Sequence, residues 1–202
     1  MEISVRDLKK TYDGFKLEAP SVVFPSGSVT ALTGPNGKGK TTFLRILAGL
    51  DRSYTGEVAY DGKPLNGQVR RRMTMTFQTP MPLNRSVYAN IEYPLKIRGI
   101  ARPARKARVE LLMATLSISH LAKKNAAKLS GGESQKAALA RGLSLEPRIL
   151  LLDEPFSAID QQSIDDMIGC IAEYNVATGA TVILVSHDNT HIGRLCNRIV
   201  EI

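Results

Sequence analysis

The segment Gly34-Pro35-Asn36-Gly37-Lys38-Gly39-Lys40-Thr41 limits what this chain can fold into more than any other stretch. Before it, Val29-Thr30-Ala31-Leu32-Thr33 reads as a strand; after it, Thr42–Ala48 reads as a helix stopped by Gly49. Glycines let successive backbone N–H groups turn inward, and the helix aims the positive end of its dipole at the same point. The product is a cradle for a polyphosphate. Its spacing fits G-x-x-x-x-G-K-[ST], in which Lys40 neutralises the β- and γ-phosphates and the Thr41 hydroxyl ligates Mg²⁺. Thr42 is placed to add a hydroxyl near the α-phosphate.

Two further segments belong with this one. Ile149-Leu150-Leu151-Leu152 is a continuous apolar run, as expected of a parallel strand covered on both faces, and it ends in Asp153-Glu154. The carboxyl edge of a parallel sheet is where ligands are met. Asp153 is expected to hold Mg²⁺ through water, and Glu154 to polarise an attacking water as general base. Leu129-Ser130-Gly131-Gly132-Glu133 contains the capping box Ser130-x-x-Glu133. A capped helix that opens on two glycines is also a good anion site.

The length of 202 residues suits one domain with subdomains, and 43% apolar with 23% charged residues is an ordinary globular composition. Cys170 and Cys196 lie far apart without clustered histidines, which argues against a zinc motif and suits a reducing compartment; both read as small buried or half-buried hydrophobes. The N-terminus has no charged leader before an apolar run, and no stretch approaches the roughly 18 apolar residues of a membrane span. The expected location is therefore cytoplasmic. The formal net charge of +8 is uneven, with runs at Arg70-Arg71-Arg72 and at Lys96, Arg98, Arg102, Arg105, Lys106 and Arg108. These read as solvated helix faces, with an anionic membrane surface as the second choice. Nucleic acid is not expected, because aromatic residues do not interleave with the charges.

Strands dominate the first third. Ile3 and Val5 alternate with polar neighbours, Val58-Ala59-Tyr60 runs into the hairpin-turn pair Asp61-Gly62, and Met73, Met75 and Phe77 alternate with threonines. The middle third is helical: Val109, Leu112, Met113 and Leu116 keep helical spacing, and Ser130 starts another helix. Strand–helix alternation returns with Thr181–Val185. The pattern predicts an α/β nucleotide-binding core with a mostly helical insertion over roughly 79–148.

Taken together, these segments resemble the nucleotide-binding domain of ABC transporters, and the resemblance covers essentially the whole chain as a single domain, 1–202. GPNGKGKTT looks like the Walker A loop, LSGGE like the signature motif and LLLDEP like the Walker B strand. Gln78 sits where the family has its Q-loop, Ser157-Ala158-Ile159-Asp160 resembles the D-loop, and Ser186-His187-Asp188 resembles the switch-histidine segment. Tyr12 is placed like the aromatic that stacks on adenine. His120 and His191 match no motif.

The resemblance implies a P-loop NTPase core with a mostly parallel sheet, an N-terminal antiparallel β subdomain and the helical insertion as a subdomain. It implies ATP and Mg²⁺ as ligands. Gly34, Pro35, Asn36, Gly37, Lys38, Gly39, Lys40, Thr41 and Thr42 would bind nucleotide. Gln78 would contact Mg²⁺ or the lytic water, and His187 would hydrogen-bond the γ-phosphate. Ser130, Gly131, Gly132 and Glu133 would complete the ATP site of a second copy of the chain, or of a paralogous ATPase subunit, in a head-to-tail dimer closed by ATP and released by hydrolysis, and Asp160 would also bind nucleotide.

Three residues depart from the family pattern. Glu133 stands where glutamine is commonest, Lys136 where an arginine is usual, and Lys38 in a slot that is mostly small. The overall pattern looks most like stand-alone importer ATPases, within those the tungstate/molybdate/phosphate group. The implied partners are transmembrane permease subunits, which would hold the chain at the inner face of the membrane, and indirectly a solute-binding protein. Pro80-Met81-Pro82-Leu83 would lie where a permease docks. The alternatives are an ATPase of an export or lipoprotein-release machine and, further off, a soluble ABC ATPase without a transport role.

Overall fold

The computed structural model describes residues 1–12 and 14–202, and of Tyr12 the backbone alone. The chain divides into two compact units. The first takes in Met1–Met75, Pro147–Glu154 and Tyr174–Ile202; the second takes in Thr76–Glu146 and Pro155–Glu173. In chain order the elements are β1 (Ile3–Tyr12), β2 (Phe15–Glu18), β3 (Val22–Phe24), β4 (Val29–Thr33), α1 (Lys40–Leu47), β5 (Thr55–Tyr60), β6 (Lys63–Pro64), α2 (Gly67–Arg71) and β7 (Met73–Thr76). They continue with α3 (Val87–Ile97), α4 (Arg102–Thr115), α5 (Gly131–Leu143), β8 (Ile149–Asp153), α6 (Gln161–Thr178), β9 (Thr181–Val185), α7 (Asn189–Leu195) and β10 (Arg198–Glu201).

One sheet of the first unit is antiparallel. In it β1 pairs with β2, β3 and β5, and β5 turns through Asp61-Gly62 to pair with β6. The alternation that begins at Ile3 and Val5 does not continue along β1, because the next buried residue is Leu8. Asp7 has φ 48°, and the register with β5 shifts between Arg6 and Lys9. This bulge inserts one residue and moves the buried face from odd to even positions. Gly56 lies across from it; a Cβ there would run into the carbonyl oxygens of Arg6 and Asp7.

The other sheet has the order β10-β4-β9-β8-β7, and its β10–β4, β4–β9 and β9–β8 pairs are parallel. All residues of β8 and β9 are buried, which accounts for their unbroken apolar runs. Leu32 stands opposite Val185, and Val185 opposite Asp153. That register releases the segments starting at Gly34, Ser186 and Glu154 from one edge of the sheet. Phe43, Leu44 and Leu47 of α1 are buried in the same cluster as Phe24, Leu32, Leu151 and Val185. The Phe24 and Phe43 rings meet at 6.2 Å between centroids, tilted by 50°. The Tyr60 hydroxyl donates to the Leu47 carbonyl and so satisfies one of the acceptors at the end of α1.

In the second unit α3, α4 and α5 pack on one another through buried Val87, Ile91, Leu95, Val109, Met113, Leu139 and Leu143. The basic run on and before α4 is partly neutralised: Arg105 pairs with Glu92 at 3.0 Å, Arg108 with Glu146 at 2.6 Å and Lys106 with Glu110 at 3.8 Å. Among the described residues no helix is long and apolar enough to cross a membrane. Burial pushes the Cys170 thiol up to about 12 and the Cys196 thiol up to about 11.

Candidate nucleotide-binding site

Parallel strand β4 feeds the glycine loop, and α1 follows it. Gly34, Gly37 and Gly39 have φ of 133°, 80° and 96°, in the region where side chains are strained. A Cβ on Gly34 would also overlap the Ile202 carbonyl oxygen. Among the described residues no side chain caps α1, unlike α2, α3, α5 and α7, whose first turns are bonded by Asn66, Ser86, Ser130 and Asp188. The Lys40 ammonium is buried and donates to the carbonyls of Gly34 and Pro35, both at 2.9 Å. Burial pulls its pKa down, while Glu154 and Asp153 pull it up.

The acids at the end of β8 sit beside that loop. The Thr41 hydroxyl donates to Asp153 Oδ1 at 3.0 Å. Asp153 is 3% exposed, and burial raises its carboxyl above the ordinary value although the Thr41 hydrogen bond works against the shift. Glu154 Oε1 lies 3.3 Å from His187 Nε2. Glu154 also has φ 45°, a conformation uncommon for a residue with a side chain and one that concentrates at functional sites. A cavity of about 450 Å³ is lined by Phe15, Asn36, Gly37, Gly39, Lys40, Thr41, Thr42, Glu154 and Val185. Lys38 is exposed and is not part of that lining. The stacking expected of Tyr12 lies outside the described residues.

Phe15 was not expected in this cavity. Its ring stands so close that a Cβ on Gly39 would come within 2.7 Å of it. The available signal is indirect: Phe15 follows Tyr12 by three positions, and the two residues share one step of the β1–β2 backbone register.

The second unit gathers the other expected residues around the start of α5. Ser130 Oγ accepts from Glu133 N at 3.3 Å, and Ser130 N donates to Glu133 Oε2 at 2.8 Å, so the capping box is formed. Lys124 Nζ also donates to Glu133 Oε2, at 2.9 Å, and together with the Ser130 amide it holds that carboxyl below the usual glutamate range. Asp160 Oδ1 accepts from Ser163 N at 2.9 Å, and Asp160 Oδ2 from Ser163 Oγ at 2.7 Å. Gly132 lies against this pair: a Cβ there would stand 2.6 Å from Ser163 Oγ and 2.9 Å from Asp160 Oδ2. Lys136 reaches Asp166 of α6 at 2.5 Å. The Gln78 carbonyl accepts from Gln135 Nε2 at 2.7 Å.

The family model described as ABC transporter matches residues 17–157. The chain belongs to the ABC transporter family. It is 45% identical to the tungstate uptake system ATP-binding protein TupC of Peptoclostridium acidaminophilum, over 99% of this chain and 94% of that protein. It is 36% identical to the sulfate/thiosulfate import ATP-binding protein CysA of Mycolicibacterium paratuberculosis and 33% identical to the methionine import ATP-binding protein MetN of Bordetella pertussis. Of these two it spans only 56% and 58% of the length. Among solved structures, cbiO1 from Clostridium perfringens, part of the ABC transporter complex cbiONQ, superposes with a TM-score of 0.86 at 26% identity, over 98% of this chain and 83% of that one. This ABC transporter chain therefore binds and hydrolyses ATP as the ATPase subunit of a membrane transporter. The α/β P-loop fold expected from the sequence, with its parallel and antiparallel sheets and its helical part, is the one observed.

Proposed function

We propose that this ATPase subunit powers an importer for an oxyanion of the tungstate class. The observation that carries this reading is 45% identity to a tungstate uptake ATPase along nearly the full length of both chains. The identity to sulfate/thiosulfate import ATPases, also handlers of oxyanions, supports the same solute chemistry.

The site supports roles for named residues. Lys40 and the uncapped N–H groups of α1 bind the β- and γ-phosphates. Gly34, Pro35, Asn36, Gly37, Gly39 and Thr42 form the rest of the cradle, and Tyr12 stacks on adenine; Phe15 lines the cavity. Thr41 and Asp153 offer a hydroxyl and a carboxylate oxygen 3.0 Å apart, hard donors that fit Mg²⁺, with Gln78 as a further ligand. When bound, the ion would neutralise phosphate charge. Glu154 takes the proton of the attacking water, and His187, 3.3 Å from it, holds the γ-phosphate oxygen. Ser130, Gly131, Gly132, Glu133 and Asp160 act on the ATP of a second copy, so hydrolysis requires a head-to-tail dimer. Permease subunits hold this dimer at the inner face of the membrane, and a solute-binding protein delivers the anion.

The test is purification of the transporter from native membranes, identification of the copurifying subunits, and measurement of ATP hydrolysis with each candidate solute. The expected result is a permease in the complex and stimulation by tungstate or molybdate in the presence of the binding protein. Stimulation by methionine alone would overturn the solute class. Recovery with ribosomes or DNA and no membrane subunit would overturn transport.

A further inference from the structure

Two side chains of α5 reach off the helix onto a single loop. Gln135 Nε2 donates to the Gln78 carbonyl at 2.7 Å, and Arg141 Nη1 donates to the Met81 carbonyl at 3.1 Å. From α3, buried Asn90 accepts from Leu83 N at 2.8 Å and donates to the carbonyls of Leu83 and Ser86, both at 3.0 Å. The loop between β7 and α3 is thus tied at its start, its tip and its end by side chains.

The loop sequence explains why the ties are made this way. Pro80 and Pro82 flank Met81 and have no N–H to offer, so the tip can be held through its carbonyls. Gln135 and Arg141 are donors of sufficient reach. The void beneath the tip, bordered by Pro80, Pro82, Asn90 and Arg141, is about 10 Å³. That is at the lower limit for one water, so the side of the tip that faces α5 is closely packed. Met81 itself is 78% exposed. At its other end the same helix carries Ser130 as N-cap and Glu133 in its first turn. A helix of this length transmits displacement with little internal deformation.

We infer that Gln135 and Arg141 fasten the exposed Pro80–Leu83 tip to α5, so that loop and helix move as one lever and a load on Met81 reaches Ser130. The inference rests on the proposed reading of the tip as facing the permease and of Ser130 as facing nucleotide. Neither Gln135 nor Arg141 touches the reacting atoms; both are positioning residues.

The experiment uses Gln135→Leu, Arg141→Met and the pair, with Gln135→Asn and Arg141→Lys as milder variants. Hydrogen exchange over 78–85 is measured on the isolated chain, and ATP hydrolysis on both the isolated chain and the complex purified from native membranes. Each lost donor should speed exchange in the loop about fivefold, and the pair more than either alone. Basal hydrolysis and KM for ATP should stay within about twofold, while stimulation in the complex falls about tenfold or more. Arg141→Lys, which keeps a donor, should recover part of the stimulation. Unchanged exchange in the pair overturns the clamp; faster exchange with full stimulation overturns the lever. If the unaltered complex shows no stimulation, the permease reading fails and the lever with it, while the exchange measurement still decides the clamp.

Discussion

The Thr41 hydroxyl donates to Asp153 Oδ1 at 3.0 Å, joining residues 112 positions apart at the end of one strand and the start of one helix. It reaches a carboxylate that is almost wholly buried. Burial is the largest influence on Asp153 and raises its carboxyl; the attractions to Arg45 and Lys40 are smaller and opposite. A raised acid favours the protonated form in the folded chain. Its contribution to stability is therefore greatest below the ordinary aspartate value of 3.8 and is lost as pH rises through the folded-state value.

Asp153→Asn keeps an acceptor for Thr41 and removes the buried charge. In the nucleotide-free chain it should raise the melting temperature at pH 7 by about 2–4 °C, the scale of about 1 kcal/mol in a chain of this size. The same change should cut ATP hydrolysis about a hundredfold or more, because the proposed Mg²⁺ ligand loses its charge. Calorimetry at pH 7 and pH 4 checks the sign: the gain should shrink on acidification. A variant less stable than the parent at pH 7 would show that the buried charge is compensated.

Gly132 tests whether the glycine pair at the start of α5 serves packing as well as access. Gly132→Ala places a methyl 2.6 Å from Ser163 Oγ and 2.9 Å from Asp160 Oδ2. The first turn of α5 must shift, at a cost of about 1–3 kcal/mol for overpacking. Hydrolysis should fall about tenfold or more, with nucleotide binding by the monomer retained. Adding Ser163→Ala removes the nearer obstacle and should restore part of both stability and activity. A double variant no better than Gly132→Ala would place the defect elsewhere.

The parts of this molecule that were legible in the sequence are those whose chemistry is written locally. Lys40, Thr41, Asp153 and Glu154 lie in short segments whose spacing carries their use, and β8 and β9 are apolar throughout because both faces are covered. β1 was legible only as far as Val5, since the bulge at Asp7 rephases its burial. α3 had no expected counterpart of its own; Pro94 lies inside it, and proline argues against a helix interior. Gln135 and Arg141 bond backbone carbonyls 57 and 60 residues away. Bonds from a side chain to a distant carbonyl leave no periodicity and no motif, so only the folded chain reveals them.

Glu133 departs from the commonest signature residue, and Lys124 accounts for what it does here. Its carboxylate is held below the usual glutamate range first by Lys124 and then by the Ser130 amide. A lowered acid contributes stability that is full above the unfolded value of 4.5 and is lost as pH falls through the folded value below it. Lys124→Met should lower the melting temperature at pH 7 by about 1–2 °C, since a partly exposed pair contributes about 0.5 kcal/mol. At a pH below the folded value the difference should vanish as Glu133 protonates. An equal loss at both pH values would mean that Lys124 acts through its backbone neighbours and not through the carboxylate.

Glu154 stands at 3.3 Å from His187 and in a left-handed backbone conformation, directly after a fully buried strand. If it is the general base, replacing its carboxylate by an amide of the same size removes the proton acceptor and leaves the cradle formed by Lys40 and Thr41 intact. Glu154→Gln should therefore bind Mg-ATP with an affinity within about threefold of the parent while hydrolysis falls about 10²- to 10⁴-fold. Because hydrolysis is what would release the ATP-closed pair, the variant should accumulate as a dimer at saturating Mg-ATP and return to monomer with ADP. Light scattering with each nucleotide reads this directly. A variant that stays monomeric at saturating Mg-ATP, or that hydrolyses ATP at the parent rate, would remove Glu154 from the role of base.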